Sequence, residues 1–458
     1  MRVWHRLSAE FDDPNLLGVA GLVPVVALAE RAGLPQLIGG QVSVSGSAGS
    51  NAAVKVTALV AGMVAGADSI ADLDLLRHGA MGRVFTGLRA PTTLGTHLRA
   101  YRFGHVRQLD AVAARLLGNL ADLVPGLLAG GDQVAYLDVD DTIRQTHGYA
   151  KQGAAYGYSR VKGLNAQLAV LSTPLAAPVI AGTRLRRGNV ASAHGAARLI
   201  GDGLRTARGA GITGTVTVRA DSAYYGYDVI AAARRSTARF SVTARMNPAV
   251  VRAITSIDPQ AWTPIHYPNA VWDEAEQRLI SDAEVAEIGF TAFTSRPRTE
   301  HVSARLIVRR VRRLNPHHAG QGELFPDYRH HAVFTDSGLG MGDAEAAHRD
   351  HAIVEQVIAD LKSSALAHLP SGRFTANAAW TVLAAIAFNL TRAAGVLAST
   401  RHARATTATI RRQLITLPVR IASSARRLHL HLPSSWPWRD AWTRLFTSAC
   451  GPPPPATT

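Results

Sequence analysis

Residues 134–142 read VAYLDVDDT, a strand-forming run that ends in three carboxylates within four positions. A charge taken out of water costs several kcal/mol unless something neutralises it, so buried strands avoid unpaired carboxylates. In an extended strand Asp138 and Asp140 point to one side, while Asp141 points away or begins the turn. Two carboxylates on one side are suited to divalent cations such as Mg2+, which prefer hard oxygen ligands.

Working outward, a second strand has the same ending. GTVTVRADS (214–222) places Asp221 just past its apolar alternation. In open sheets with parallel neighbours, active sites gather at the carboxyl ends of strands, so Asp140 and Asp221 converge if their strands are adjacent. A third carboxylate comes from HRDHAIVEQVIADLK (348–362). On one helix, His348, His351, Glu355 and Lys362 share a broad face, and Ile353, Val354, Val357 and Leu361 form the apolar one. Alone, that polar face is no more than a solvated surface.

The chain around these segments has 458 residues, a prior of roughly two to four domains. Its formal charge of +16 points to a polyanionic partner, nucleic acid first; a coding bias towards Ala, Gly and Arg gives the same composition. Only four lysines occur, and Lys151, Lys162 and Lys362 lie close to the acidic motifs. The single cysteine, Cys450, excludes a disulfide scaffold and a Cys-rich zinc site and fits a reducing cytoplasm. The start MRVWHRLSAEFDD turns acidic where a signal peptide needs an apolar run. The run at 52–67 is too short to span a bilayer comfortably and contains Lys55, so it is expected to be a buried helix, with no membrane partner.

Residues 1–130 read as helical, with 91–124 as a long amphipathic stretch capped by Thr92 or Thr93, a DNA-binding candidate with no clear helix-turn-helix pattern. From 133 the order is three strands, helix, strand, helix, strand, which gives a mixed sheet with helices on its faces. Residues 247–345 break the alternation with prolines and strand-like pieces, a β-rich insertion. Helical pattern resumes at 343–363 and 376–398. The basic tail carries an alternating LHLHL (428–432) and a disordered GPPPPATT end. The histidines at 317/318, 330/331 and 429/431 complete no zinc ligand set.

The order strand-Asp, strand-Asp, β-rich insertion, helix-Glu resembles the DDE transposases of bacterial insertion sequences, whose catalytic core is ribonuclease H-like. More narrowly, LDVDDT with HGYAKQGAAYGY, then VRADSAYYG, then VEQVIADLK with FTANAAWTVLAAIAFNLTR are similar to the subgroup with a β-strand insertion and a Tyr-x2-Arg-x3-Glu-x6-Lys pattern. Glu355 and Lys362 keep that spacing; His348 stands at the Tyr position and His351 at the Arg position. The resemblance runs from residue 88 to Arg392.

It implies an α/β fold: a ribonuclease H-like mixed sheet with flanking helices, interrupted by a β-rich insertion and preceded by a helical N-terminal domain. The expected divisions are 1–130, 131–246 and 346–400 for the two parts of the core, 247–345 for the insertion, and 401–458 for a basic C-terminal region. The implied catalytic residues are Asp140, Asp221, Glu355 and Lys362. Asp140, Asp221 and Glu355 would bind metal, two Mg2+ or Mn2+ ions, with Asp138 as a rival or neighbour of Asp140. Lys151, Lys162, His348 and His351 are candidates to contact DNA, the implied partner as terminal repeats and target, with a homodimer in the synaptic complex. Trp262 and Trp272 in the insertion are candidates to stack a displaced base, though packing is the commoner role of a Trp.

Two other readings stay open on the sequence. LDVDDT also matches the DxDxT of haloacid-dehalogenase-type phosphatases, and MGDAEAAHRD (341–350) imitates their later Gly-Asp motif, but this leaves the basic charge, Asp221 and Glu355 unexplained. The two histidines keep open a DNA-binding descendant of a transposase with impaired catalysis.

Overall fold

VAYLDVDDTIRQ forms one uninterrupted strand, β1 (Val134–Gln145), in the computed structural model, which describes residues 1, 7–148, 150–265, 272–274, 278–279, 283–312, 328–424 and 427–451. The expected turn at Asp141 is absent. Thr142 and Ile143 suit a pleated strand and carry the pairing onward, Thr142 opposite Ala166 and Ile143 opposite Asn165. The histidines 317/318 and the PPPPATT end lie outside the described residues.

The chain divides into two compact units, one of residues 1–127, 148–152 and 360–458, the other of residues 128–147 and 153–359. The second unit holds a large mixed sheet. Its further strands are β2 (Ala155–Tyr156), β3 (Lys162–Thr173), β4 (Ala176–Arg187), β5 (Thr215–Ala220), β6 (Arg239–Thr243), β7 (Thr263–Ile265), β8 (Ala283–Ala292), β9 (Val302–Arg312) and β10 (Tyr328–Thr335). The spatial order is β2-β3-β1-β5-β6-β10-β9-β8-β7, with β4 also pairing β3. β1 and β5 run parallel, as do β5 and β6, and the other neighbours are antiparallel.

The sequence pattern explains this layout. β3 is buried from Gly163 to Thr173, as its near-continuous apolar run predicts for a strand covered on both faces. The helix Ala196–Gly209 packs on β1, β3 and β4, and the helix Tyr227–Arg235 on β6. Gly203 lets the first of these approach closely, since a Cβ there would stand 3.1 Å from a Leu137 methyl. The region 247–345 is rich in strands, as its pattern suggests. They extend the same sheet, because β10 pairs with β6 through Val333 opposite Thr243 and Thr335 opposite Ser241.

The helical reading of 343–363 also changes. Met341–Arg349 is one α-helix, Asp350–Ala352 a 3-10 turn, and Ile353–Lys362 a second α-helix.

The other unit is mainly helical. Its central element is the 25-residue helix Phe374–Ala398, which packs against Ala52–Ala65, Phe103–Leu123 and Arg439–Cys450. It is long and apolar enough to cross a membrane by length and composition, but 89% of its apolar window is buried inside the protein. Trp380 is fully buried and donates from its indole N–H to the Ala365 carbonyl at 2.6 Å. The long stretch 91–124 breaks into Pro91–Arg99 and Phe103–Leu123, and Ala90 rather than a threonine takes the cap position, with Pro91 opening the helix. Ala52–Ala65 is buried as expected; Lys55 is satisfied by the Ser47 and Ala48 carbonyls at 3.2 and 3.0 Å.

Candidate active site

Parallel pairing of β1 with β5 sets the site. The register runs Asp138 opposite Arg219 and Val139 opposite Ala220, which leaves Asp140 and Asp221 one step beyond it on neighbouring strands. Alternation then puts Asp138, Arg219, Asp140 and Asp221 on one side of the sheet.

The two aspartates of β1 have different fates. Asp138 is fully buried, and both its oxygens are taken by Arg219, Nε to Oδ1 at 2.6 Å and Nη2 to Oδ2 at 2.8 Å. Burial pushes the Asp138 carboxyl up and the guanidinium opposes that shift. Arg219 lies over the Tyr136 ring at 4.0 Å and donates to the carbonyls of Ala347 and Asp350, the latter at 3.5 Å. Asp138, expected as a rival or neighbour of Asp140, thus has both oxygens occupied by a guanidinium. It anchors an arginine that ties the sheet to the junction between the two helices preceding Glu355.

Asp140 is only partly buried and is paired with no Lys or Arg among the described residues. Its Oδ1 accepts the Asp141 N–H at 2.7 Å. Burial pushes its carboxyl up to about 7, against that hydrogen bond, and the negative charges of Asp221, Asp141 and Glu355 add to the rise. Asp221 begins the 3-10 turn Ser222–Tyr224, accepting the Ala223 N–H at 3.0 Å. Its carboxyl is also raised, by removal from water and then by the charge of Asp141 against its backbone hydrogen bonds. Glu355 sits in the first turn of Ile353–Lys362, exposed, with Val354 and Val357 buried beneath it. The structure thus places Asp140 beside Asp221 and within the field of Glu355. Among the described residues, no three His, Cys, Asp or Glu side chains are gathered into a ready metal cage.

Asp141 faces the other side and is not a turn residue. It pairs with Arg186, accepts from Asn165 Nδ2 at 3.0 Å, and meets Ser192 Oγ at 3.3 Å. Arg186, 6% exposed, also donates to Asn165 Oδ1 and to the carbonyls of Ala191, Ser192 and His194 at 3.2, 2.9 and 2.7 Å. That fan of bonds fixes the 189–195 connection against the strand that carries Asp140. The sequence reading passed over both Arg186 and Arg219. The signal for Arg219 was present, since it is the one charge in TVTVRA and such a charge needs a buried partner, whereas Arg186 is one of three arginines ending β4 and is not marked out.

The basic and histidine candidates separate. His348 is 4% exposed, with Ser241 Oγ 3.0 Å from Nδ1 and Thr243 Oγ1 2.9 Å from Nε2. Burial holds its imidazole down to about 3, helped by His351 and Arg219. The ring expected at a phosphate is enclosed between β6 hydroxyls. His351 packs beside it, ring centroids 4.8 Å apart, is partly exposed, and its Nδ1 lies 2.6 Å from the His348 carbonyl. Lys362 closes the helix that Glu355 opens. Lys151 donates to the Leu369 carbonyl, and burial lowers its ammonium. Lys162 opens β3 opposite Tyr156. Trp262, just before β7, lies under Arg310 at 4.1 Å, while Trp272 is 52% exposed. Asp343 of the phosphatase-like motif lies in the first turn of a helix rather than after a strand.

The family model described as transposase DDE domain group 1 covers residues 5–449. No curated protein matches the chain. The match takes in both strand aspartates, the helix glutamate and the strands between them, and leaves the phosphatase reading unsupported. The chain belongs to the DDE transposase family, group 1.

Proposed function

We propose that this transposase binds the terminal inverted repeats of an insertion sequence, cleaves the DNA ends by phosphodiester hydrolysis and joins them to target DNA by transesterification, through a ribonuclease H-like core. The observation that carries this reading is the β1–β5 register, which stands Asp140 next to Asp221 while the charge of Glu355 falls on Asp140. Three carboxylates with no Lys or Arg partner among the described residues repel one another, and Asp140 registers that repulsion. Such an all-oxygen, uncompensated set fits hard divalent cations.

Asp140, Asp221 and Glu355 would hold Mg2+ or Mn2+, two ions in this reading, which when bound supply nucleophile activation and charge neutralisation at phosphorus. Asp140 and Asp221 are fixed by hydrogen bonds from the backbone N–H groups of Asp141 and Ala223, which leaves their outer oxygens to face the substrate. Arg219 holds the helix junction that delivers Glu355. Lys362 is proposed to meet a phosphate near the cut, and Lys151, Lys162 and the exposed edge of His351 are proposed as further DNA contacts. The reading includes a helical DNA-binding region in 1–130, a core in 131–246 and 346–400, a basic region in 401–458, a homodimer in the synaptic complex, and action in the cytoplasm.

The purified chain, given Mg2+ and a labelled duplex carrying the inverted repeats that flank its gene, is expected to nick that duplex and to leave a generic phosphomonoester untouched. Binding the ends without cutting them would mark a catalytically impaired descendant. Hydrolysis of the phosphomonoester alone would return the phosphatase.

A further inference from the structure

Immediately after the carboxylates of β1 the chain loses negative charge altogether. From Thr142 to Gly201 it has eight Lys and Arg and no Asp or Glu, where the overall proportion of 33 acids in 458 residues would place about four. Several of these cations are used internally, Arg186 on Asp141 and Arg184 on Asp202. Arg160, Arg187 and Arg198 are exposed and have no acidic partner among the described residues.

The same stretch exposes aromatic surface. Tyr156 is 68% exposed and Tyr158 fully exposed. They lie on a firmly seated tip. Gly188 N–H donates to the Gly153 carbonyl at 3.1 Å, and Arg160 N–H donates to the Gly157 carbonyl at 3.0 Å. Gly157 lies so close to the end of β4 that a Cβ would meet the Gly188 carbonyl oxygen at 2.4 Å. Arg160 has φ +56°, a left-handed conformation that a non-glycine residue rarely adopts. Two tyrosines and an arginine are therefore held out into water on a loop whose backbone is pinned to the sheet.

The sheet places this tip relative to the carboxylates. Tyr156 is opposite Lys162, and Lys162 accepts from the N–H of Thr146, six residues beyond Asp140 along β1. Six residues at about 3.4 Å along the strand and two strand spacings of about 4.8 Å across set Tyr156 about 22 Å from Asp140. Bases along one DNA strand also repeat at about 3.4 Å.

We infer that the tip formed by Tyr156, Tyr158 and Arg160, with Arg187 beside it at the end of β4, is a DNA-holding surface that grips the strand about six base steps from the phosphate at Asp140. On a duplex the base faces are closed, so the tyrosines meet sugars and phosphate oxygens without sequence preference, and the arginines take phosphates. This rests on the transposase reading and adds to it the surface that holds DNA beside the cut.

The test is fluorescence anisotropy of a fluorescein-labelled, mixed-sequence duplex titrated with the full chain at a series of salt concentrations. Tyr156→Ala with Tyr158→Ala is expected to weaken binding about tenfold or more and to leave the salt slope unchanged. Arg160→Asn, chosen because asparagine tolerates the left-handed backbone, combined with Arg187→Ala, is expected to reduce the slope of log affinity against log salt by about 1.8. All four side chains are exposed, so unchanged urea midpoints certify that the variants fold. Wild-type affinity and slope in both double variants would overturn the inference while leaving the transposase reading intact. So would a tyrosine variant that alters only self-association in sedimentation, which would make the tip a protein interface. A wild-type chain that binds no duplex would overturn the DNA reading first, and this surface with it.

Discussion

Arg219 closes a two-pronged ion pair on Asp138 at 2.6 and 2.8 Å, and neither side chain is more than 2% exposed. The pair lies one alternation step beneath Asp140 and Asp221, and Arg219 reaches on to the Ala347 and Asp350 carbonyls. A buried charge pair thus supports the strand ends and the helix junction that precedes Glu355.

Removing one partner strands the other. Arg219→Ala is expected to destabilise the protein by about 3–5 kcal/mol, read as a fall in the urea midpoint. Replacing both with apolar groups, Asp138→Leu with Arg219→Met, is expected to recover most of that loss. The double variant should still cleave DNA poorly, because nothing then ties the helix junction to β5. Recovery of both stability and cleavage would show that Arg219 does not position Glu355.

The carboxyl of Asp140, raised to about 7, gives a pH signature in metal-free protein. The unfolded chain loses this proton near pH 4, whereas the folded chain keeps it until about 7. The folded state therefore binds more protons over that window, and the contribution of Asp140 to stability falls as pH rises through it. In EDTA at pH 8, Asp140→Asn is expected to be more stable than wild type by about 1–2 kcal/mol, with little difference below pH 4. Paired melting curves at the two pH values check this.

His348 has the opposite sign. Its folded-state value of about 3 lies below the ordinary histidine range, so between about pH 6.5 and 3 only the unfolded chain takes the proton. Stability is lost as pH falls through that window, by up to about 1.4 kcal/mol per pH unit. His348→Gln, which retains hydrogen-bonding capacity toward Ser241 and Thr243, is expected to flatten the acid limb of the urea midpoint against pH. An unchanged limb would mean that the ring is not enclosed as described.

The strands were legible in the sequence because alternation and β-branching are local. β1, β3, β4, β5 and the helix Tyr227–Arg235 lie where the pattern put them. Placing Asp140 beside Asp221 followed from two similar strand endings. What was not legible depends on contacts distant in sequence. The Arg219 partner of Asp138 was hidden because it lies 81 residues away on another strand. The single helix expected across 343–363 failed at the 3-10 turn Asp350–Ala352, where apolar periodicity barely changes but the His348 ring turns inward to Ser241 and Thr243. That the strands of 247–345 continue the same sheet could not be read locally, because the pairing with β6 spans about ninety residues.

The most direct test of the central claim is strand cleavage of the inverted-repeat duplex by wild type, Asp140→Asn, Asp221→Asn and Glu355→Gln at matched protein concentration in Mg2+. The account predicts cutting by wild type that EDTA stops. It predicts a loss of about a thousandfold or more in each variant, with the exposed Glu355→Gln change leaving the urea midpoint within about 0.5 kcal/mol of wild type. Cleavage by Glu355→Gln at the wild-type rate would contradict it.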